Sequence, residues 1–298
     1  MTKLAILVKS HGPDLAYADR LLRSVEAFNV DLIPVFLVVP DADLEQFTPT
    51  LTSGTHLIPE SSFASHLVSE PVNGYAPGYI NQEIVKLSFW EMGLADNYLC
   101  VDSDAQFVRS FFVDDFMADT QTPYTFLTED RELQADPTYF SGNWRPRMVA
   151  LERIAEAIGL DERPLRTVHG HAVFSSRVLA SFYRGFLTTR GWTYSDALAI
   201  APYEPSWYNF WLQRDKTIPI VPREPLFKTF HSAHDQEAYA LQGFAESDAA
   251  RGYVGVIVNS NFSRGVGMAS LSDGASMVLA SHHTSGELLR VLAARRRT

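Results

Sequence analysis

Apolar and polar positions along the chain form short unbroken runs separated by longer periodic stretches. Leu4 to Val8 is continuously apolar and stops at Lys9-Ser10-His11-Gly12-Pro13, which predicts a strand buried on both faces, as in a parallel sheet. Leu15, Leu21, Leu22, Val25 and Phe28 then recur at helical spacing, with Asp14 placed to cap that helix. Ile33 to Val39 predicts a second strand and Thr55 to Ile58 a short third. Pro59 to Gly78 has no clear period and is rich in Ser, Pro and Gly, so it reads as a long loop able to order over a substrate. Helical spacing returns from Tyr79 to Met92, and Tyr98 to Val101 is another apolar run too short for a helix. Strands and helices in alternation predict an α/β fold with a mostly parallel central sheet flanked by helices.

Beyond that point Gln106 to Val108, Tyr124 to Leu127, Ile218 to Val221, Leu226 to Phe230 and Tyr253 to Val258 read as strands. Helices are expected over Val149 to Ile158, ended by Gly159, and in Val178 to Phe186, Ala197 to Ile200, the stretch through Leu241, and a closing segment through Leu288 to Leu292. Pro205 suits a first helical turn, because its missing donor costs nothing there, so Glu204 stands at a helix N-terminus. A solvated helix start is the expectation for the adjacent Asp114 and Asp115.

The chemistry concentrates at the end of the fourth run, Tyr98-Leu99-Cys100-Val101-Asp102-Ser103-Asp104. Strand alternation would point Asp102 and Asp104 the same way and Ser103 oppositely. Two converging carboxylates beside a dry strand repel unless a proton or a cation joins them, and a hard divalent metal suits that position. In open α/β sheets ligands bind beyond the carboxyl ends of strands, which also puts Lys9, Ser10 and His11 at a crevice. Gln82 and Lys86 are four apart and share a helix face. The Tyr139 to Arg147 segment, with aromatics, Gly and Arg, is a candidate acceptor wall, and His169 or His171 a candidate lining for the acceptor side. The same two histidines lack further ligands at zinc-finger spacing.

An apolar strand, an Asp-x-Asp and a following Phe107-Val108, about a hundred residues into a chain that opens with a strand, resemble the metal motif of GT-A nucleotide-sugar glycosyltransferases. Val8-Lys9-Ser10-His11, Gln82, Lys86, Glu204 and Tyr208 are similar to a bacterial family of otherwise unknown function within that class, over residues 3 to 235. The resemblance implies a GT-A, Rossmann-like domain spanning the whole chain. Its nucleotide-sugar half would cover residues 1–110, its acceptor half 111–235 and a C-terminal extension 236–298. It also implies Mn2+ or Mg2+ held by Asp102, Asp104 and His231, with His234 the alternative to the histidine. Donor contacts would come from Lys9, Ser10, His11, Gln82, Lys86, Asp102 and Ser103, with Lys86 neutralising the departing diphosphate. Glu204 would be the base of an inverting transfer from a nucleoside-diphosphate sugar to a glycan or small-molecule acceptor. A phosphohydrolase of the haloacid dehalogenase kind and a non-catalytic sugar-binding module are the alternatives. The first expects Thr or Val where Gln106 stands, and a motif near the first strand.

Composition narrows the partners. A net charge of -10 argues against nucleic acid, which demands a broad basic surface. The basic tail, Arg290 with Arg295 to Arg297, reads as a solvated helix end, with peripheral membrane contact the other reading. No apolar run reaches membrane-spanning length and the N-terminus lacks a signal-peptide pattern, so a cytoplasmic protein is expected. The single Cys100 rules out an internal disulfide and reads as core packing.

Overall fold

In a computed structural model, residues 2–129, 140–160, 163–167 and 170–260 are described. The central sheet has five strands in the order β3-β2-β1-β4-β7: β1 is Thr2–Lys9, β2 Val35–Val39, β3 Thr55–Pro59, β4 Ala95–Asp102 and β7 His171–Ser175. The first four run parallel, while β7 pairs antiparallel with β4. This is the mostly parallel sheet expected from the apolar runs. Alternate residues of those runs enter different cores: Ala5, Leu7, Tyr98 and Cys100 pack on one face, Leu4, Ile6, Val8, Leu99 and Val101 on the other. Burial on both faces explains why the strands carry no polar alternation.

Helix Leu15–Phe28 covers one face, and helices Pro77–Ser88, Arg145–Ile158 and Glu204–Asp215 contribute to the layer on the other. Two smaller sheets complete the strand set. In one, β5 (Ala105–Phe107) pairs antiparallel with β10 (Gly255–Val258), which runs parallel to β9 (Phe227–Phe230). In the other, β6 (Tyr124–Phe126) runs parallel to β8 (Val221–Arg223). Gly255 allows β10 to approach β9 and β5, since a Cβ there would lie 2.3 Å from the Phe227 ring and 2.8 Å from the Gln106 carbonyl oxygen.

The elements differ from expectation in instructive places. Asp14 makes no side-chain cap on its helix; its carboxylate instead meets His11 Nδ1 at 3.1 Å. The aperiodic loop after β3 opens with a helical turn, Glu60–Phe63. His171 is not a cleft residue: it is 2 % exposed and its ring packs between Phe126 and Phe227, because it begins the strand that closes the sheet edge. His169, Tyr139 and the C-terminal stretch, with the helix expected there and its arginines, lie outside the described residues. Asp114 is exposed at the start of a short helical turn, as expected, whereas Asp115, its side chain only 14 % exposed, meets Arg109 and Arg223 at 3.8 and 3.7 Å. Cys100 is buried, and burial pushes its thiol pKa well up, which leaves it a packing residue. No helix among the described residues is long and apolar enough to cross a membrane.

Candidate active site at the strand ends

Strand order reverses at β1, which has β2 on one side and β4 on the other, so a crevice opens beyond the carboxyl ends of β1 and β4. Their last paired residues are Lys9 and Asp102. An open cleft of about 530 Å3, solvent-filled mouth included, sits there. Its lining includes Lys9, Asp14, Gln82, Asp102, Ser103 and Asp104, closed on the far side by Gly170, Thr229 and Asn259-Ser260.

Asp102, Ser103 and Asp104 all face this cleft, in contrast to the expected alternation. β4 ends at Asp102 and the chain turns through Ser103 and Asp104 before β5, so the two-residue period of a strand no longer applies. Asp104 Oδ2 accepts the Ser260 backbone N–H at 2.8 Å. Its Oδ1 is buried with no hydrogen-bond partner. Burial, then repulsion from Asp102, raises the Asp104 pKa to about 6. Gly170 makes room for Asp102: its carbonyl accepts the Asp102 N–H at 3.1 Å. With φ of +78°, a Cβ at that position would stand 2.8 Å from Ile257 Cδ1 and 3.5 Å from Asp102 Oδ2.

Behind Asp102 lies a buried charge cluster. Lys86 Nζ donates to Asp102 Oδ1 at 2.9 Å and to Glu204 Oε1 at 3.0 Å, and Glu83 Oε2 stands 3.7 Å away. Lys86, Glu83 and Glu204 are 5, 4 and 7 % exposed. Burial opposes the ammonium, but its carboxyl neighbours, Asp102 and Glu204 foremost, outweigh it, and the Lys86 pKa lies well above the usual lysine range. Lys86 is thus neither on a solvated helix face nor at the cleft surface, where the expected diphosphate would lie; its charge is spent on Asp102 and Glu204. Glu204 opens helix Glu204–Asp215 as its proline predicts, yet it backs the cleft wall through Lys86 and is not part of the lining. Tyr208 accepts the Ser175 backbone N–H at 3.0 Å, and Trp207, Phe210 and Trp211 are core.

Lys9 Nζ pairs with Glu60 Oε1 at 2.9 Å and donates to the Ser10 carbonyl at 3.0 Å. Burial lowers its pKa, with Glu60 pulling the other way. Ser10 is buried, whereas the His11 side chain is half exposed. His231 directly follows β9, but Thr229 is the residue by which that strand reaches the cleft. The expected trio of Asp102, Asp104 and His231 is not gathered: among the described residues no three His, Cys, Asp or Glu stand together to hold a metal.

Residues 4–235 match one family model, and that match spans most of the chain. The chain belongs to a family of unknown function, DUF6492. No curated protein matches this DUF6492 member significantly. Among solved structures, it is similar to the galactosyltransferase LgtC in complex with donor and acceptor sugar analogs, and to an active-site mutant of LgtC. Each is 12 % identical with a TM-score of 0.49, covering 85 % of this chain and 86 % of the other.

Several cleft residues of this DUF6492 chain carry no signal in the sequence. Gly170, Thr229 and Ser260 come from segments far apart in the chain, as does Glu60, the partner of Lys9, and nothing local marks them. Glu83 does leave a trace, since it precedes Lys86 by three residues on one helix face.

The donor set fits a divalent cation. The cleft is acidic through Asp14, Asp102 and Asp104, and the buried Asp104 Oδ1 has no protein partner. One or two carboxylates, with the remaining positions left to water or phosphate oxygens, is how magnesium-like ions are commonly held.

Proposed function

We propose that this protein is a metal-dependent glycosyltransferase that moves a sugar from a nucleoside-diphosphate sugar to an acceptor hydroxyl. The observation that carries this reading is the Asp102–Asp104 pair at the sheet's switch point, with one buried carboxylate oxygen lacking any protein partner. Asp102 and Asp104 would hold Mn2+ or Mg2+, which would supply positive charge where the diphosphate develops negative charge on leaving. Two protein carboxylates leave coordination room for that diphosphate.

The chain's own groups have distinct tasks in this reading. Lys9 and Gln82 of the cleft lining, with Ser10 and His11 next along the chain from Lys9, bind the nucleotide portion of the donor. Ser103 lies on the same floor. Lys86 holds Asp102 in its orientation through the 2.9 Å bond to Oδ1. The inverting course, with Glu204 as base, demands most of the resting geometry. Glu204 must exchange its bond to Lys86 for the acceptor hydroxyl before it can take a proton.

A thermal-shift series with nucleoside diphosphates, each with and without Mn2+, tests the reading. Stabilisation by nucleotide that depends on Mn2+ supports it. Slow release of nucleoside diphosphate from a nucleotide sugar supports transfer. Release of free phosphate from a monoester instead would point to a phosphohydrolase, and neither activity with sugar binding alone to a binding module.

A further inference from the structure

Three carboxyls, Glu83, Asp102 and Glu204, surround the single ammonium of Lys86. If all were ionised the cluster would hold two uncompensated negative charges, three of its four members almost wholly out of water. Burial of that kind is costly enough that one member keeps a proton instead.

The distances say which one. Lys86 has three N–H donors and gives two of them to Asp102 and Glu204, at 2.9 and 3.0 Å, while Glu83 Oε2 remains at 3.7 Å, beyond hydrogen-bond range. An ionised Glu83, three residues from Lys86 on the same helix, would be the easiest partner for it to reach. Glu204 also has a helix N-terminus to stabilise its charge, whereas Glu83 lies in the middle of helix Pro77–Ser88. Burial and the adjoining Glu204 carboxyl both push the Glu83 pKa well above the usual range.

We infer that Glu83 is a positioning residue that stays a neutral carboxylic acid within the folded protein, donating its proton toward Glu204. It thereby leaves the whole charge of Lys86 to Glu204 and Asp102. Glu83 touches neither donor nor cation; it acts through Glu204 and Lys86 on the aim of Asp102. Tyr79 and Cys100 also stand near it, and both carry pKa values well above their usual ranges. Neither offers a charge that could stand in for the proton.

The inference makes two separable claims, and only the second rests on reading Asp102 as a cation ligand. Infrared spectroscopy of the full chain at about pH 8, where ordinary carboxyls are ionised, should show a carboxylic-acid C=O stretch that moves in D2O and is missing in Glu83→Gln. Titration with Mn2+, followed by electron paramagnetic resonance, should show affinity retained in Glu83→Gln. Its amide can still donate to Glu204. In Glu83→Leu affinity should fall about tenfold, as when an outer-shell partner of a ligand is removed. The wild-type spectrum needs no variant to fold, so it is decisive alone: lack of any acid band overturns the proposal. So does a band that survives in Glu83→Gln, or equal Mn2+ affinity in Glu83→Leu and wild type. Mn2+ failing to bind any of the three, with the acid band present, would remove the cation reading and leave the protonation of Glu83 standing.

Discussion

Asp104→Asn isolates the electrostatic tension in the cleft. In the folded protein, burial and the Asp102 carboxylate raise the Asp104 pKa from 3.8 to about 6, against about 3.9 in an unfolded chain. Between those two values the folded state binds more protons than the unfolded state. The stability that protonated Asp104 contributes is therefore complete below about pH 4 and is lost as pH rises through about 6. A shift of roughly two units corresponds to about 3 kcal/mol. Asparagine keeps an oxygen to accept the Ser260 N–H, which stands 2.8 Å from Asp104 Oδ2, and carries no charge to repel Asp102. Relative to wild type, the variant should gain stability progressively with pH, by up to about 3 kcal/mol between about pH 4 and about pH 7.5. Urea denaturation of both proteins in chelator measures this. Titrating groups remote from Asp104 are present in both chains, so their contributions largely cancel in the difference. A variant-minus-wild-type difference that stays constant across that range refutes the reasoning. Adding Mn2+ near neutral pH should then stabilise wild type and leave Asp104→Asn almost unchanged.

Other outcomes follow from the same contacts. Lys86→Met leaves Asp102 and Glu204 without their shared cation and should cost about 3–5 kcal/mol in denaturant melts near neutral pH. Glu204→Gln should abolish transfer at saturating donor while Mn2+-dependent nucleoside diphosphate binding persists; near-normal turnover would remove Glu204 as base. Gly170→Ala meets both a φ of +78° and Ile257 Cδ1 at 2.8 Å. It should lower stability by about 1–2 kcal/mol and weaken Mn2+ binding, read by melting temperature and by titration.

Much of the scaffold was legible because burial on both sheet faces writes an unbroken apolar run into the chain. β1, β2 and β4 announce themselves in that way, and Asp102 at the end of such a run marks the crevice. Pro205 likewise placed Glu204 at the first turn of its helix. Local pattern failed where a side chain's partner is remote. Nothing near Lys86 shows that it reaches Asp102 and Glu204, 16 and 118 residues away in sequence, so a helix-face lysine aimed at substrate was the natural expectation. His171 misled in the opposite sense, since only the packing of Phe126 and Phe227 around it turns a polar residue into a core one.

The α/β class, the strand that carries the aspartates and the acidic character of its end are all readable from the chain alone, because hydrophobic periodicity and charge are properties of short segments. Tertiary structure alone decided that β7 closes the sheet antiparallel, that Ser103 faces the cleft with its two neighbours, and that Lys86 is enclosed by three carboxyls. Those outcomes depend on desolvation and on distances between segments far apart in the chain, and neither quantity exists until the layers have packed.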